Sequence, residues 1–328
     1  MTALNRRTAL AGAAALTLGS AVRDAFGQDK PKAKFSAAFT DQDLRAEAYK
    51  AFAQEMKDDL DIEFFLNNTL FKQGTELVAM QRGNLEMCNL APADISKQVP
   101  AWSLLTSAYL FRDADHLKKT FKSDVGQEMN KLAREKLGIQ LIAPVYFGTR
   151  QVNLKPAKKI TTPADMAGMK LRMPPGEFWQ FLGESIGANP TPVAFAEVYT
   201  ALQSGAIDGQ DNPLPNVQNM KFYEVMSQIV LTSHLIGFDL LCVSSKVWSG
   251  MTPAQQQKFQ AAADKAIDWS ANEHLKQEAE LVEFLKKQGL QIYAPDIKAF
   301  RENAQKIYLA SDQAKSWPAG MLDKINAL

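Results

Sequence analysis

Two guanidinium groups placed beside apolar, strand-like runs are the side chains best suited to chemistry. Arg150 lies in Phe147-Gly-Thr-Arg-Gln151, just past the apolar run Ile139–Phe147, and Arg172 lies in Ala167-Gly-Met-Lys-Leu-Arg-Met-Pro174. A guanidinium is a planar fork of donors that stays charged at any physiological pH and fits a carboxylate through two parallel hydrogen bonds. In the second stretch Leu171 and Met173 alternate with Lys170 and Arg172, so a strand period of two sends the cations to the opposite face. Pro174-Pro175 then ends the strand, and open α/β sheets take ligands just beyond the carboxyl ends of their strands. On spacing alone, a solvated strand arginine in a salt bridge accounts for Arg172 equally well. Gln-Asp-Asn-Pro213 closes a third stretch, in which Asp208–Pro213 reads as a rigid polar turn. Asn212 there offers both a donor and an acceptor. Phe195 stands at the start of a helix expected over Phe195–Ser204, where an aromatic ring serves a core as readily as a pocket wall.

Other chemistries find less support. Gly183-Glu-Ser185-Ile-Gly187 has the spacing of a nucleophile elbow, but that device needs a strand before the serine, and Phe178–Leu182 reads as helix. His116, His234 and His274 lie far apart in the sequence and make no metal-binding spacing. Glu197, Asp208 and Asp211 are oxygen donors that capping or solvation explains, so no metal and no cofactor are expected. Cys88 and Cys242 sit in apolar runs and read as two buried thiols.

The elements that must position these groups alternate between strand and helix. Strands are expected at Phe35–Phe39, Ile62–Leu66, Leu85–Leu90, Ile139–Phe147, Lys170–Met173, Ile229–Thr232 and Phe238–Ser244. Helices are expected over Asp41–Leu60, Gly74–Arg82 and Asp124–Leu137, the first with Ala48, Phe52, Met56 and Leu60 on one face. The β-then-α order argues for an α/β protein with mostly parallel sheets. Thr252-Pro-Ala-Gln255 is a capping box, and neither proline nor glycine interrupts the chain from there to Gly289. That predicts a single helix of about 36 residues, near 54 Å long. A break near Ser270–Asn272 is the alternative.

The 328 residues carry 37 basic and 36 acidic side chains and 46% hydrophobic residues. This suits one or two globular domains and gives no broad field for nucleic acid or an anionic membrane. Residues 1–27 have the form of a secretory signal peptide: Arg6-Arg7, an uncharged run over 8–22, and Ala25-Phe26-Gly27 before the cut. Arg6-Arg7 with Leu10 partly matches a twin-arginine signal, while Ala9 departs from it, so both export routes stay open. No later segment is apolar enough to span a bilayer, and a protein soluble outside the cytoplasm is expected.

Gly-Met-Lys-Leu-Arg-Met-Pro174, Pro192-Val-Ala-Phe-Ala-Glu-Val-Tyr-Thr-Ala-Leu-Gln203, Ile207-Asp-Gly-Gln-Asp-Asn-Pro213 and Lys221-Phe-Tyr-Glu-Val225 resemble the solute-binding proteins of tripartite ATP-independent periplasmic (TRAP) transporters, the DctP family. The N-terminal half is similar more loosely, through Gln73-Gly74, Met80–Leu85 and Tyr109–Asp113. The resemblance implies a two-lobed periplasmic binding protein fold with a long lobe-spanning helix, and no enzymatic activity. It implies a small organic acid held by Arg172, with Arg150, Phe195, Asn212 and Gln73 in the same cleft, and delivery to TRAP membrane permease subunits. Lobe I would take 33–147 and 238–277, and lobe II 148–237 and 278–328. A monomer that binds no nucleic acid is expected. A periplasmic sensor component of the same fold is the alternative. The Ala91–Asp94 loop lacks the arginine that sialic-acid binders place there, which favours a smaller or more apolar acid. Trp102, Phe147, Phe178 and Trp179 serve equally as aromatic wall or as core.

Overall fold

The computed structural model describes residues 30–328, and the leader expected over 1–27 lies outside the described residues. Strands β1 (Lys32–Ser36), β2 (Asp61–Phe65), β3 (Met87–Leu90), β4 (Ile139–Leu154), β5 (Lys170–Met173), β6 (Asn189–Pro192), β7 (Gly209–Asn212), β8 (Gln228–Ser244) and β9 (Gln291–Tyr293) join one sheet. The order is β2-β1-β3-β8-β4-β7-β5-β6, with β9 beside β8. The expected parallel pairing holds for β1 with β2 and β3, for β5 with β6 and β7, and for β8 with β9. The centre is antiparallel instead, β3 on β8, β8 on β4 and β4 on β7.

The difference comes from two long strands. β4 has 16 residues and β8 has 17, about three times the usual strand length. The run expected to stop at Phe147 continues through Gly148 to Leu154. The two expected strands at 229–232 and 238–244 are one. Local punctuation suggested breaks that the chain absorbs as register shifts at Tyr146/Gly148 and Arg150/Val152. Asp208–Pro213, expected as a turn, supplies β7 because four of its residues find a partner edge on β4. At the midpoint of the β4–β8 ladder Gly148 faces Gly237. Gly148 has φ of +118°, which favours glycine, and a Cβ on Gly237 would lie 2.6 Å from the Gly148 carbonyl oxygen. The backbones therefore approach there more closely than side chains allow.

The first helix runs Leu44–Met56, capped by Asp43, with Ala48, Phe52 and Met56 buried as the spacing predicts. Helix Asp124–Leu137 stops at Gly138 in the left-handed conformation. The capping box at Thr252 starts an unbroken helix over Pro253–Lys287, 35 residues long. Phe259, Ala263 and Ile267 on its first half pack with Phe35, Phe52 and Leu241. Leu281 and Leu285 on its second half pack with Leu202, Val217 and Phe222. One helix thus belongs to two separate cores. Near the crossing its Glu278 accepts hydrogen bonds from Thr149 N (2.6 Å) and from the Tyr146 hydroxyl, pinning β4 beside Gly148. Cys88 and Cys242 are buried free thiols opposite each other on β3 and β8.

Candidate functional site

A cleft opens just beyond the carboxyl ends of β1, β3 and β5, where Phe39, Ala91 and Pro174 line it. This is where α/β sheets take ligands. Arg172, Arg150, Asn212, Phe195 and Gln73 all line it as well.

Arg172 stands in β5, with strands on both edges and both faces covered. Lys170 at the strand start is exposed, whereas Arg172 is 1% exposed. Its Nε donates to the Val193 carbonyl at 2.8 Å and its Nη2 to Gln73 Oε1 at 3.3 Å. Among the described residues no carboxylate pairs with it and Nη1 has no partner. Burial pulls the guanidinium down from 12.5 to about 9, against the pull of Asp211, with Arg150 adding repulsion. It is therefore a buried cation, charged at neutral pH and open to an anion. Gln73 Oε1 also accepts from the Phe195 backbone N–H at 2.9 Å, which links it to the opposite side of the cleft. The Phe195 ring lies 5.8 Å from the Arg172 guanidinium and packs edge-on against Phe222. Asn212 ends β7 with Nδ2 on Gln210 Oε1, and nearby Asn216 buries an Oδ1 with no partner.

Arg150 differs in kind. It lies inside β4, not past its end, and donates to both carboxylate oxygens of Asp211, from Nε at 2.6 Å and from Nη2 at 2.9 Å. His234 Nε2 sits 3.3 Å from the same carboxylate. Burial raises the Asp211 carboxyl, but Arg150 and His234 outweigh it and hold the group well below the usual range. The Trp179 ring stacks 4.9 Å from Arg150. The Arg150 charge is thus already matched.

A second polar wall escaped the sequence reading. Arg45, at the start of the first helix, donates to Asp43 from Nε (2.9 Å) and Nη2 (2.7 Å), and to Asp239 Oδ2 from Nη1 (2.7 Å). Its guanidinium lies between the rings of Phe39 and Phe147, 4.4 and 4.1 Å from their centroids. Asn89 donates to the same Asp239 oxygen at 2.5 Å and accepts from the Tyr49 hydroxyl. Burial pushes Asp239 up, with Arg45 pulling it back. The signal available was a lone acid in the apolar run Gly237–Ser244. Its partner, Arg45, lies 194 residues earlier. On the same rim Asp94 pairs with Lys97, and burial raises Glu76 to about 7.

The remaining candidates fall elsewhere. Ser185 ends a helix, is buried, and donates to Leu182 O, which leaves no elbow. Asp208 accepts from Lys170 N, and no cluster among the described residues has the makings of a metal site. Phe147 and Trp179 line the cleft, whereas Trp102 is core and donates to Met129 O.

Residues 35–314 match the model of bacterial extracellular solute-binding protein family 7. The chain belongs to this family. It is 34% identical to a sialic acid-binding periplasmic protein of Vibrio cholerae over 214 residues, 65% of this chain and 66% of that one. It is 30% identical to a solute-binding protein of Roseobacter denitrificans over 250 residues, 76% of each. Another R. denitrificans protein, a TRAP periplasmic solute-binding protein crystallised with bound 3-deoxy-D-manno-oct-2-ulosonic acid (KDO), is 42% identical at a TM-score of 0.90, covering 91% of this chain and 99% of that one. The family fold is the two-lobed α/β architecture with the long helix, and its members are binding proteins, not enzymes. No helix of the described residues is long and apolar enough to cross a membrane.

Proposed function

We propose that the protein captures a small organic acid in the cleft and presents it to the membrane permease subunits of a TRAP transporter. The observation that carries this is Arg172, a buried cation with one nitrogen unpartnered and no carboxylate in hydrogen-bonded contact with it among the described residues. An incoming carboxylate supplies the missing counter-charge through two charge-assisted hydrogen bonds, each worth about 1.5–3 kcal/mol. Phe195 walls the anion, Asn212 and Asn216 offer further polar contacts, and Arg150 keeps Asp211 from competing for Arg172. Gln73, which bonds both Arg172 and Phe195, closes the cleft over the ligand.

The lobes we assign are 33–147 with 238–277, and 148–237 with 278–328. The chain would cross between them at Gly148, at Gly237 and beside Glu278, where the two long strands approach closely. Closure about such a crossing is a hinge motion driven by contacts that only the closed form makes. We further propose that the leader exports a monomer to the periplasm, by the general secretory or the twin-arginine route.

Calorimetry with KDO as probe tests the clamp. Arg172→Ala is expected to lose binding by at least about 100-fold, from the loss of two such bonds. Unchanged affinity would remove Arg172 from the site.

A further inference from the structure

The charges around the cleft do not cancel uniformly. Arg150 is matched by Asp211 and Lys97 by Asp94. Arg45 is shared by two carboxylates, Asp43 and Asp239, so that trio holds one more negative charge than positive, and Glu76 on the same rim has no cation paired with it among the described residues. Arg172, on the other lobe, is the cation left over. The cleft therefore has a positive end and a negative end.

Asp239 is built to receive a hydrogen-bond donor. Its Oδ2 takes both protein bonds, from Arg45 and Asn89, while Oδ1 receives none from the described residues. Its side chain is 16% exposed, and it lines the cleft. Tyr49 fixes Asn89, and the Phe39–Arg45–Phe147 stack fixes Arg45, so the acceptor is held rigidly. A carboxylate oxygen held this way accepts hydrogen bonds from hydroxyl groups and repels a second anion.

We propose that the cleft selects a monoanionic polyhydroxy acid, with its carboxylate on Arg172 and its hydroxyls read by Asp239, and that it rejects dicarboxylates of similar length. This rests on the reading of Arg172 as the carboxylate receptor. Asp239 is then the specificity-determining residue, and Arg45 and Asn89 are its positioning residues.

Calorimetry of the mature chain with KDO, D-gluconate and succinate tests it. The wild type is expected to bind at least one of the two hydroxy acids about 100-fold more tightly than succinate. Asp239→Asn keeps the shape, removes the surplus charge and presents an amide. It is expected to weaken the hydroxy acid about tenfold or more and to strengthen succinate, narrowing the ratio. Asn89→Ala, which frees Asp239 to swing, is expected to narrow the same ratio and serves if Asp239→Asn fails to fold. Succinate binding more tightly than both hydroxy acids in the wild type, or an unchanged ratio in the folded variant, overturns the proposal. Either result leaves the Arg172 reading intact if Arg172→Ala still loses every acid. Full binding by Arg172→Ala overturns the reading underneath.

Discussion

Replacing Arg172 by methionine is expected to stabilise the ligand-free protein while abolishing ligand binding. Arg172 is 1% exposed and burial holds its guanidinium near 9 instead of 12.5. At 1.36 kcal/mol per pKa unit this corresponds to about 5 kcal/mol of destabilisation carried by the empty protein at neutral pH. Methionine removes that cost and fills similar space. It also leaves the Val193 carbonyl without its partner, at about 1–3 kcal/mol. The net is roughly 2 kcal/mol or more of stabilisation, equivalent to about 4 °C in melting temperature for a protein of this size. The sign with pH is fixed as well. A base whose pKa is depressed by folding lowers stability below its folded value, and the loss is recovered as pH rises through about 9 towards 12.5. The advantage of the variant should therefore be full at pH 7 and shrink above pH 9. Differential scanning calorimetry of ligand-free wild type and variant across that range is the assay. A variant that melts lower than wild type at pH 7 would refute the claim that Arg172 waits uncompensated for an anion.

Two further outcomes follow from the same geometry. Glu76 lines the cleft and ionises near 7, so its charge appears as pH rises from 6 to 8 and opposes a bound carboxylate. Affinity for an acid is expected to fall about three- to tenfold over that interval, and Glu76→Gln to flatten the profile in calorimetric titrations. A pH-independent wild type would contradict this. Because folding raises the Glu76 pKa, its contribution to stability is full below about 4.5 and is lost as pH climbs through about 7. Gly237→Ala would put a methyl group 2.6 Å from the Gly148 carbonyl, where backbone must move. It should cost about 1–3 kcal/mol in urea unfolding, and a neutral effect would mean that the crossing is looser than described.

Local pattern carried much of the fold. The four-residue spacing of Ala48, Phe52 and Met56, the capping box at Thr252 and the strand Lys170–Met173 all appear close to where the sequence placed them. What local pattern missed was length and direction in the sheet. Gly148 and Gly237 look like strand breakers, and only pairing over the whole of β4 and β8 keeps those strands continuous. The cleft divided in the same way. Arg172, Gln73, Phe195, Asn212 and Arg150 lie in recognisable motifs, although Arg150 sits inside β4 and not past its end. The match of Arg150 with Asp211, and of Arg45 with Asp43 and Asp239, depends on contacts spanning up to 194 residues, which no periodicity encodes. Those contacts decide which arginine is free.

The most direct test of that point is a crystal structure of the protein grown with KDO. The account predicts the ligand carboxylate on Arg172, engaging Nη1, with the Arg150–Asp211 and Arg45–Asp43 pairs intact. A carboxylate seated on Arg150 or Arg45, with Arg172 still held only by Val193 and Gln73, would contradict it.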